Sequence, residues 1–139
     1  MNSFPPKLAL KLALCITVLC LSACATSNVY IPEDLSPSEL IQRAQEASDR
    51  NRYNVALQYY QALLERNPYN IDLICTAEYE IAFIHYKQEK YAQARTEFEA
   101  LLERYKAPDA EYLPPQFKLL AEKVLERITE QEQKRRLFS

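Results

Sequence analysis

Residues 53–70, YNVALQYYQALLERNPYN, lie in register over residues 91–108, YAQARTEFEALLERYKAP. Both carry a tyrosine, an alanine, an aromatic residue and Ala-Leu-Leu-Glu-Arg at matching places. This repetition constrains the fold more than any other feature of the chain. In each copy the apolar residues recur at spacings of three and four: Tyr53, Ala56, Leu57, Tyr60, Leu63 and Leu64 in the first, Tyr91, Ala94, Phe98, Leu101, Leu102 and Tyr105 in the second. That period puts them on one face of a helix. A repeated helical unit buries its face against its neighbours, so the pattern predicts an all-α stack of helical hairpins. Alternation of the β type is absent from the sequence. Five helices are expected, near 37–50, 53–66, 71–88, 91–105 and 115–136. The first has a strong start signal in SPSE: Ser36 as cap, Pro37 at the first helical position, and Glu39 completing a capping box.

The chain contains no glycine. A phosphate-binding Walker loop, a dinucleotide fingerprint and a G-x-S-x-G elbow each need a backbone that approaches a ligand closely or turns at positive φ, so all three are excluded. His85 is the sole histidine, which excludes multi-histidine metal sites; Cys75 and His85 do not share a helix face. The carboxylates, Glu78 and Glu80 among them, do not converge on one point as paired acid and base groups must, and read as a solvated charged face. No enzyme, metal or cofactor is expected. His85 reads as a structural residue, and Cys75 as a small buried hydrophobe, with an intermolecular thiol partner as the other open reading.

At the N-terminus Lys7 and Lys11 precede an uncharged run from Leu12 to Ala23. At roughly 12 residues this run is too short to span a bilayer comfortably, and the order of charge, apolar run and small residues describes an export signal. Leu21-Ser22-Ala23 stands directly before Cys24, which resembles the bacterial lipobox. Cys15 and Cys20 do not fit it, because Leu14 and Leu19 precede them. The resemblance implies cleavage before Cys24 and acylation of its thiol and amino group, which would anchor the chain stably on a membrane without crossing it. Ala25, in place of aspartate, favours the outer membrane by the sorting rule of enteric lipoproteins. Loss of residues 1–23 moves the formal charge from −2 to −4, and nothing points to a nucleic-acid partner. The expected organisation is therefore a signal peptide over 1–23, a lipidated N-terminus and tether over 24–36, two repeats over 37–107, and a capping helix with a polar tail over 108–139. The segment ATSNVYIPEDL, 25–35, reads as the tether.

The two copies resemble the tetratricopeptide repeat. The first supplies Ala44, Tyr53, Ala56, Tyr60 and Pro68; the second supplies Ile81-Ala82, Tyr91, Ala94 and Phe98, with YKQEKY at the turn. The copies start at Tyr53 and Tyr91, 38 residues apart, against about 34 in the family, so the helix near 71–88 should carry an extra turn. Leu40 and Glu78 replace the family's tryptophan. Asn51 and Glu89 replace its turn glycine, so Glu89 should be held at positive φ. The last helix, with Phe117, Leu120, Ala121, Val124 and Ile128 on one side, should cap the stack. KRR at 134–136 reads as a solvent-exposed basic tail, with contact to anionic headgroups as the other open reading.

What the resemblance implies for function is a concave groove lined by the first helix of each pair. Mapped onto this chain, the groove carries Ile41, Gln45 and Ser48, then Tyr79, Phe83 and Tyr86, then Lys118 and Glu122. Ile41 and Gln45 do not supply the Lys and Asn of the carboxylate-clamp form. The stripe of Tyr79, Phe83 and Tyr86 can serve as core or as a surface for an apolar peptide, and the sequence leaves both open. An exported lipoprotein with such repeats also resembles the lipoprotein subunit of the β-barrel assembly machinery (BamD-like) and the periplasmic cell-division coordinator family. The implied role is a non-enzymatic adaptor that holds another envelope protein near the outer membrane, with self-association left open. The alternatives are a periplasmic carrier of an apolar small molecule and a pilotin-like accessory of secretion or pili.

Overall fold

The computed structural model describes residues 28–108 and 110–138. Within them the chain forms α1 (Pro37–Asp49), α2 (Tyr53–Arg66), α3 (Ile71–Lys87), α4 (Tyr91–Arg104), a single 3-10 turn (Ala110–Tyr112) and α5 (Pro115–Leu137). There is no strand among the described residues. Each helix ends within about a residue of the position its apolar period sets. The lipobox Leu21, Ser22, Ala23 and its Cys24 lie outside the described residues.

Local chemistry fixes the helix ends. The Glu39 backbone N–H donates to Ser36 Oγ at 3.3 Å, and the Ser36 N–H donates to Glu39 Oε2 at 2.9 Å. This is the expected capping box. The Ser36 hydroxyl, which donates to Glu39 Oε2 at 2.6 Å, and then the Ser36 N–H hold the Glu39 carboxyl below its usual pKa. The Leu73 N–H donates to the Asn70 side chain at 3.2 Å to open α3.

The first helix of each hairpin closes in the same way. Asn51 (φ 57°) and Glu89 (φ 59°) are left-handed. The N–H of the following residue reaches five residues back, Arg52 to Ala47 O at 2.8 Å and Lys90 to His85 O at 3.0 Å. These are the outer bonds of a Schellman closure, whose left-handed position suits glycine or asparagine and strains glutamate by on the order of 1 kcal/mol. Glu89→Gly relieves that strain. It also loses an exposed ion pair with Arg135 at 2.7 Å, worth about 0–1 kcal/mol, and adds freedom to the unfolded chain. The expected net gain is a few tenths of a kcal/mol, roughly. By contrast Gln93→Gly, inside α4, should lose at least roughly 0.5–1 kcal/mol. Chemical denaturation of both variants decides the matter; a clearly destabilised Glu89→Gly would mean that the ion pair outweighs the backbone strain.

Packing follows the repeat. Ala44 and Ala82, Ala56 and Ala94, Tyr60 and Phe98, and Leu63 and Leu101 are all buried. Small residues let the helices approach, and an aromatic ring fills the space beside them. The result is two cores. One joins α1, α2 and one side of α3 around Leu40, Tyr60, Leu63, Ala77 and Ile84; the other joins α3, α4 and α5 around Cys75, Tyr79, Phe98, Leu101 and Ile128. Cys75 is a buried free thiol, and its burial pushes its pKa up.

The equivalent positions Tyr60 and Phe98 differ by one hydroxyl. Tyr60 Oη is buried with no hydrogen-bond partner among the described residues, and burial, then the nearby Glu80 and Asp49 charges, drive its pKa upward. A stranded polar atom costs about 1–3 kcal/mol. Tyr60→Phe, which copies the second repeat into the first, should therefore stabilise the fold by about 1 kcal/mol. A lower melting temperature for this variant would show that the hydroxyl is satisfied in solution.

Three expectations are corrected. The segment read as a tether is docked from Val29 onward: Val29, Ile31 and Leu35 pack on the first core. The Val29 N–H donates to Gln58 Oε1 at 2.9 Å, and Arg66 donates to the carbonyls of Pro32 (2.9 Å) and Ile31 (3.2 Å). Apolar residues two apart fill the groove beside α2, and this short extended pattern is easily mistaken for a linker. Leu120, expected inside α5, is 39% exposed and Leu119 54%, because α5 is covered on one side only, through Ala121, Val124 and Ile128. Finally, Glu78 and Glu80 are not simply solvated. Glu78 takes both arms of Arg104, at 2.8 and 2.6 Å. Glu80 is half-buried, and burial raises its pKa against the lowering pull of Lys87. Flanked by α2 and α4, α3 has little free surface.

Candidate functional site

The groove residues fall on the helices that open each hairpin. Ile41 is half-buried at the edge of the first core and Gln45 is exposed. No ring contact or hydrogen bond joins either of them to the stripe on α3 among the described residues. Farther along, Lys118 and Glu122 are exposed on α5.

The stripe itself divides. Tyr79 is core: 8% exposed, its ring lies 5.6 Å from Phe98 and 5.5 Å from Phe117. Phe83 and Tyr86 are half-buried and continue the stack, with centroid distances of 5.8 Å from Tyr79 to Phe83 and 5.8 Å from Phe83 to Tyr86. Tyr86 meets Tyr91 at 5.8 Å, and the Arg135 guanidinium lies 4.8 Å over that last ring. A helix spacing of three and four brings the rings of α3 into this file; α4 and α5 close its ends.

Lys87 is the site residue that the sequence reading missed. Its ammonium lies 5.4 Å over Phe83 and 5.6 Å over Tyr53, and it donates to Ser48 Oγ at 2.6 Å. It thereby links the end of α3 to the end of α1 and the start of α2. The signal was available, since Phe83 and Lys87 are an i, i+4 aromatic–cation pair; the contacts to Ser48 and Tyr53 cross helices and carry no local signature. Phe83 and Tyr86, packed against the second core and half-buried beside this cation, form an aromatic wall there.

His85 is buried on another face of α3. Its Nδ1 is 2.7 Å from Glu97 Oε2 and its Nε2 is 3.3 Å from Gln93, so it ties α3 to α4, the structural role expected of it. On that side Ile81, Ala100, Leu101 and the Glu78–Arg104 pair line a surface concavity of about 300 Å³, away from the ring file. Among the described residues no group of three His, Cys, Asp or Glu side chains could hold a metal ion, and no helix is long and apolar enough to cross a membrane.

No protein-family profile matches the sequence, and no solved structure matches it. A protein of Treponema pallidum (strain Nichols), itself uncharacterized, is 35% identical over 102 residues. The match covers 72% of this chain and 41% of that protein. The chain thus spans less than half the length of this relative.

Proposed function

We propose that the chain is a lipid-anchored adaptor of the tetratricopeptide type, held through Cys24 at the periplasmic face of the outer membrane. There it binds another envelope protein and serves envelope assembly or organisation, β-barrel assembly included. The observation that carries the binding half of this reading is the division of the aromatic stripe. Tyr79 is committed to the core, whereas Phe83 and Tyr86, packed against that same core, stay half-buried beside Lys87 and leave part of their rings open to a partner. The lipid half rests on the Leu21-Ser22-Ala23-Cys24 motif.

Crosslinking in intact envelopes followed by purification tests the adaptor. A stoichiometric protein partner that is lost in a folded Phe83→Ala variant is the expected result. Lipid or metabolite co-purifying in its place would overturn the adaptor in favour of a carrier. For the anchor, Cys24→Ser is expected to abolish labelling by a fatty-acid analogue and to leave unprocessed precursor or a soluble species. Labelling and membrane fractionation equal to the parent's would sink the lipoprotein reading.

A further inference from the structure

The hairpin arrangement gathers one end of every helix. The ends of α1, α3 and α5 and the starts of α2 and α4 lie together. Lys87 bonds across to Ser48, Arg135 pairs with Glu89 in the α3–α4 turn, and Gln88 shares a surface concavity with Asn51–Val55 of the α1–α2 turn. The docked N-terminal segment leads to the same end. Traced backward from Arg66, at the far end of α2, it passes Gln58 and reaches Val29, which lines a concavity with Arg43, Arg52 and Val55.

This end differs chemically from its opposite. Three of its acids are engaged, Glu46 by Arg50, Glu89 by Arg135 and Glu132 by Arg95, while Asp49 and Glu130 are exposed without an ion pair among the described residues. Arg52, Lys90, Lys134 and Arg136 are exposed and make no ion pair among the described residues. Beside them Leu137 and Phe138 are 80% and 88% exposed, so the last turn of α5 presents two large apolar side chains next to three consecutive cations. The opposite end, where α1, α3 and α5 begin, carries the exposed acids Glu33, Asp34, Asp72 and Glu111, with Lys118 as an exposed cation among them.

From this we infer that the hairpin-turn end is a membrane-docking surface for anionic lipid headgroups, with Leu137 and Phe138 entering the interface between headgroups and acyl chains. The inference rests on the proposed anchor for its setting: Cys24 precedes Asn28 by four residues, which at full extension reach roughly 14 Å, so a lipid on Cys24 can hold this end against the surface. Unpaired Lys and Arg within a Debye length of an anionic leaflet are attracted to it, and neighbouring apolar side chains gain by burial in the interface. A chain of formal charge −4 without its leader would be repelled by such a surface if its charge were evenly spread; the segregation of charge gives it one favoured orientation. The helices then stand on the membrane, and the Phe83–Tyr86 wall opens sideways along it.

The test needs no lipidation, because both cores are built from residues 28–138 and the chain from Ala25 onward contains the whole described fold. The sequence has no tryptophan, so Phe138→Trp introduces a single reporter at the proposed surface and Tyr112→Trp one at the opposite end. Each protein is mixed with phosphatidylcholine vesicles that either contain or lack phosphatidylglycerol. With phosphatidylglycerol, the reporter at position 138 should shift to the blue and be quenched by brominated lipid; the reporter at 112 should not respond. High salt, or the folded triple variant Lys90→Glu/Lys134→Glu/Arg136→Glu, should weaken the response on the order of tenfold or more. No response at 138, or equal responses at the two ends, overturns the docking surface. The fatty-acid labelling of Cys24 is read separately, so failure of the anchor and failure of the surface are distinguishable.

Discussion

Phe98→Ala is expected to cost about 3–5 kcal/mol, the range for losing a fully buried aromatic ring. Phe98 is completely buried in the second core, with its ring against Tyr79 and its cluster completed by Cys75, Ala82, Ala94, Leu101, Ala121, Val124 and Ile128. The small members of that cluster decide where in the range the variant falls. Alanine and cysteine have almost no side chain to swing into the vacated space, so the cavity persists and its cost, roughly 24 cal/mol per Å³, adds to the lost transfer energy. For a domain whose total stability is on the order of 5–15 kcal/mol, this is a large fraction. Urea denaturation should show a lower midpoint with an unchanged slope. Phe138→Ala is the matched control, since Phe138 is 88% exposed and its loss should change stability by no more than about 0.5 kcal/mol. A loss below about 1 kcal/mol for Phe98→Ala would contradict its place at the centre of the core.

Ala94→Leu probes the same core from the opposite direction, by adding volume where helices touch. Ala94 is fully buried on α4, as its counterpart Ala56 is on α2. Both sit where the repeat places a small residue between two helices. The three added carbons have no space to enter, so α4 must move away from its neighbours or strain its rotamers, at about 1–3 kcal/mol. Ala92, exposed two positions earlier, supplies the control: Ala92→Leu should stay within about 0.5 kcal/mol of the parent. Equal melting temperatures for the two leucine variants would mean that the repeat does not bury its alanine in solution.

These two variants concern features that the sequence carried openly. A period of three and four, a Ser-Pro-Ser-Glu start and a doubled Ala-Leu-Leu-Glu-Arg are local patterns, and local patterns gave five helices, their ends and their inner faces. The left-handed Glu89 was also legible, because a repeat without glycine must still turn. What stayed hidden depends on contacts between distant parts of the chain. Val29 and Ile31 look like linker residues until α2 offers them a groove. Leu120 shares the period of Val124, yet no helix covers it. Tyr79 and Phe83 are indistinguishable in a sequence window; Phe98 and Phe117 press only on the first, which makes one core and leaves the other at a surface edge. Lys87 could be paired with Phe83 by spacing, but its grip on Ser48 belongs to the tertiary structure alone.

The position of α3 in both cores has a consequence for how the molecule comes apart. In a longer solenoid each hairpin has its own interior and a separate interface to the next, so stability divides into a unit part and a coupling part. Here Ala77 and Ile84 serve one core while Tyr79 and Ala82 serve the other from the same seventeen-residue helix. If either hairpin loosens, α3 loses half of its covering, and the other hairpin loses a wall. The coupling is then of the same order as the units themselves. Melting should be a single event, with the amide hydrogens of α3 the last to exchange, and a load applied at Phe83 and Tyr86 should be shared by both halves of the molecule.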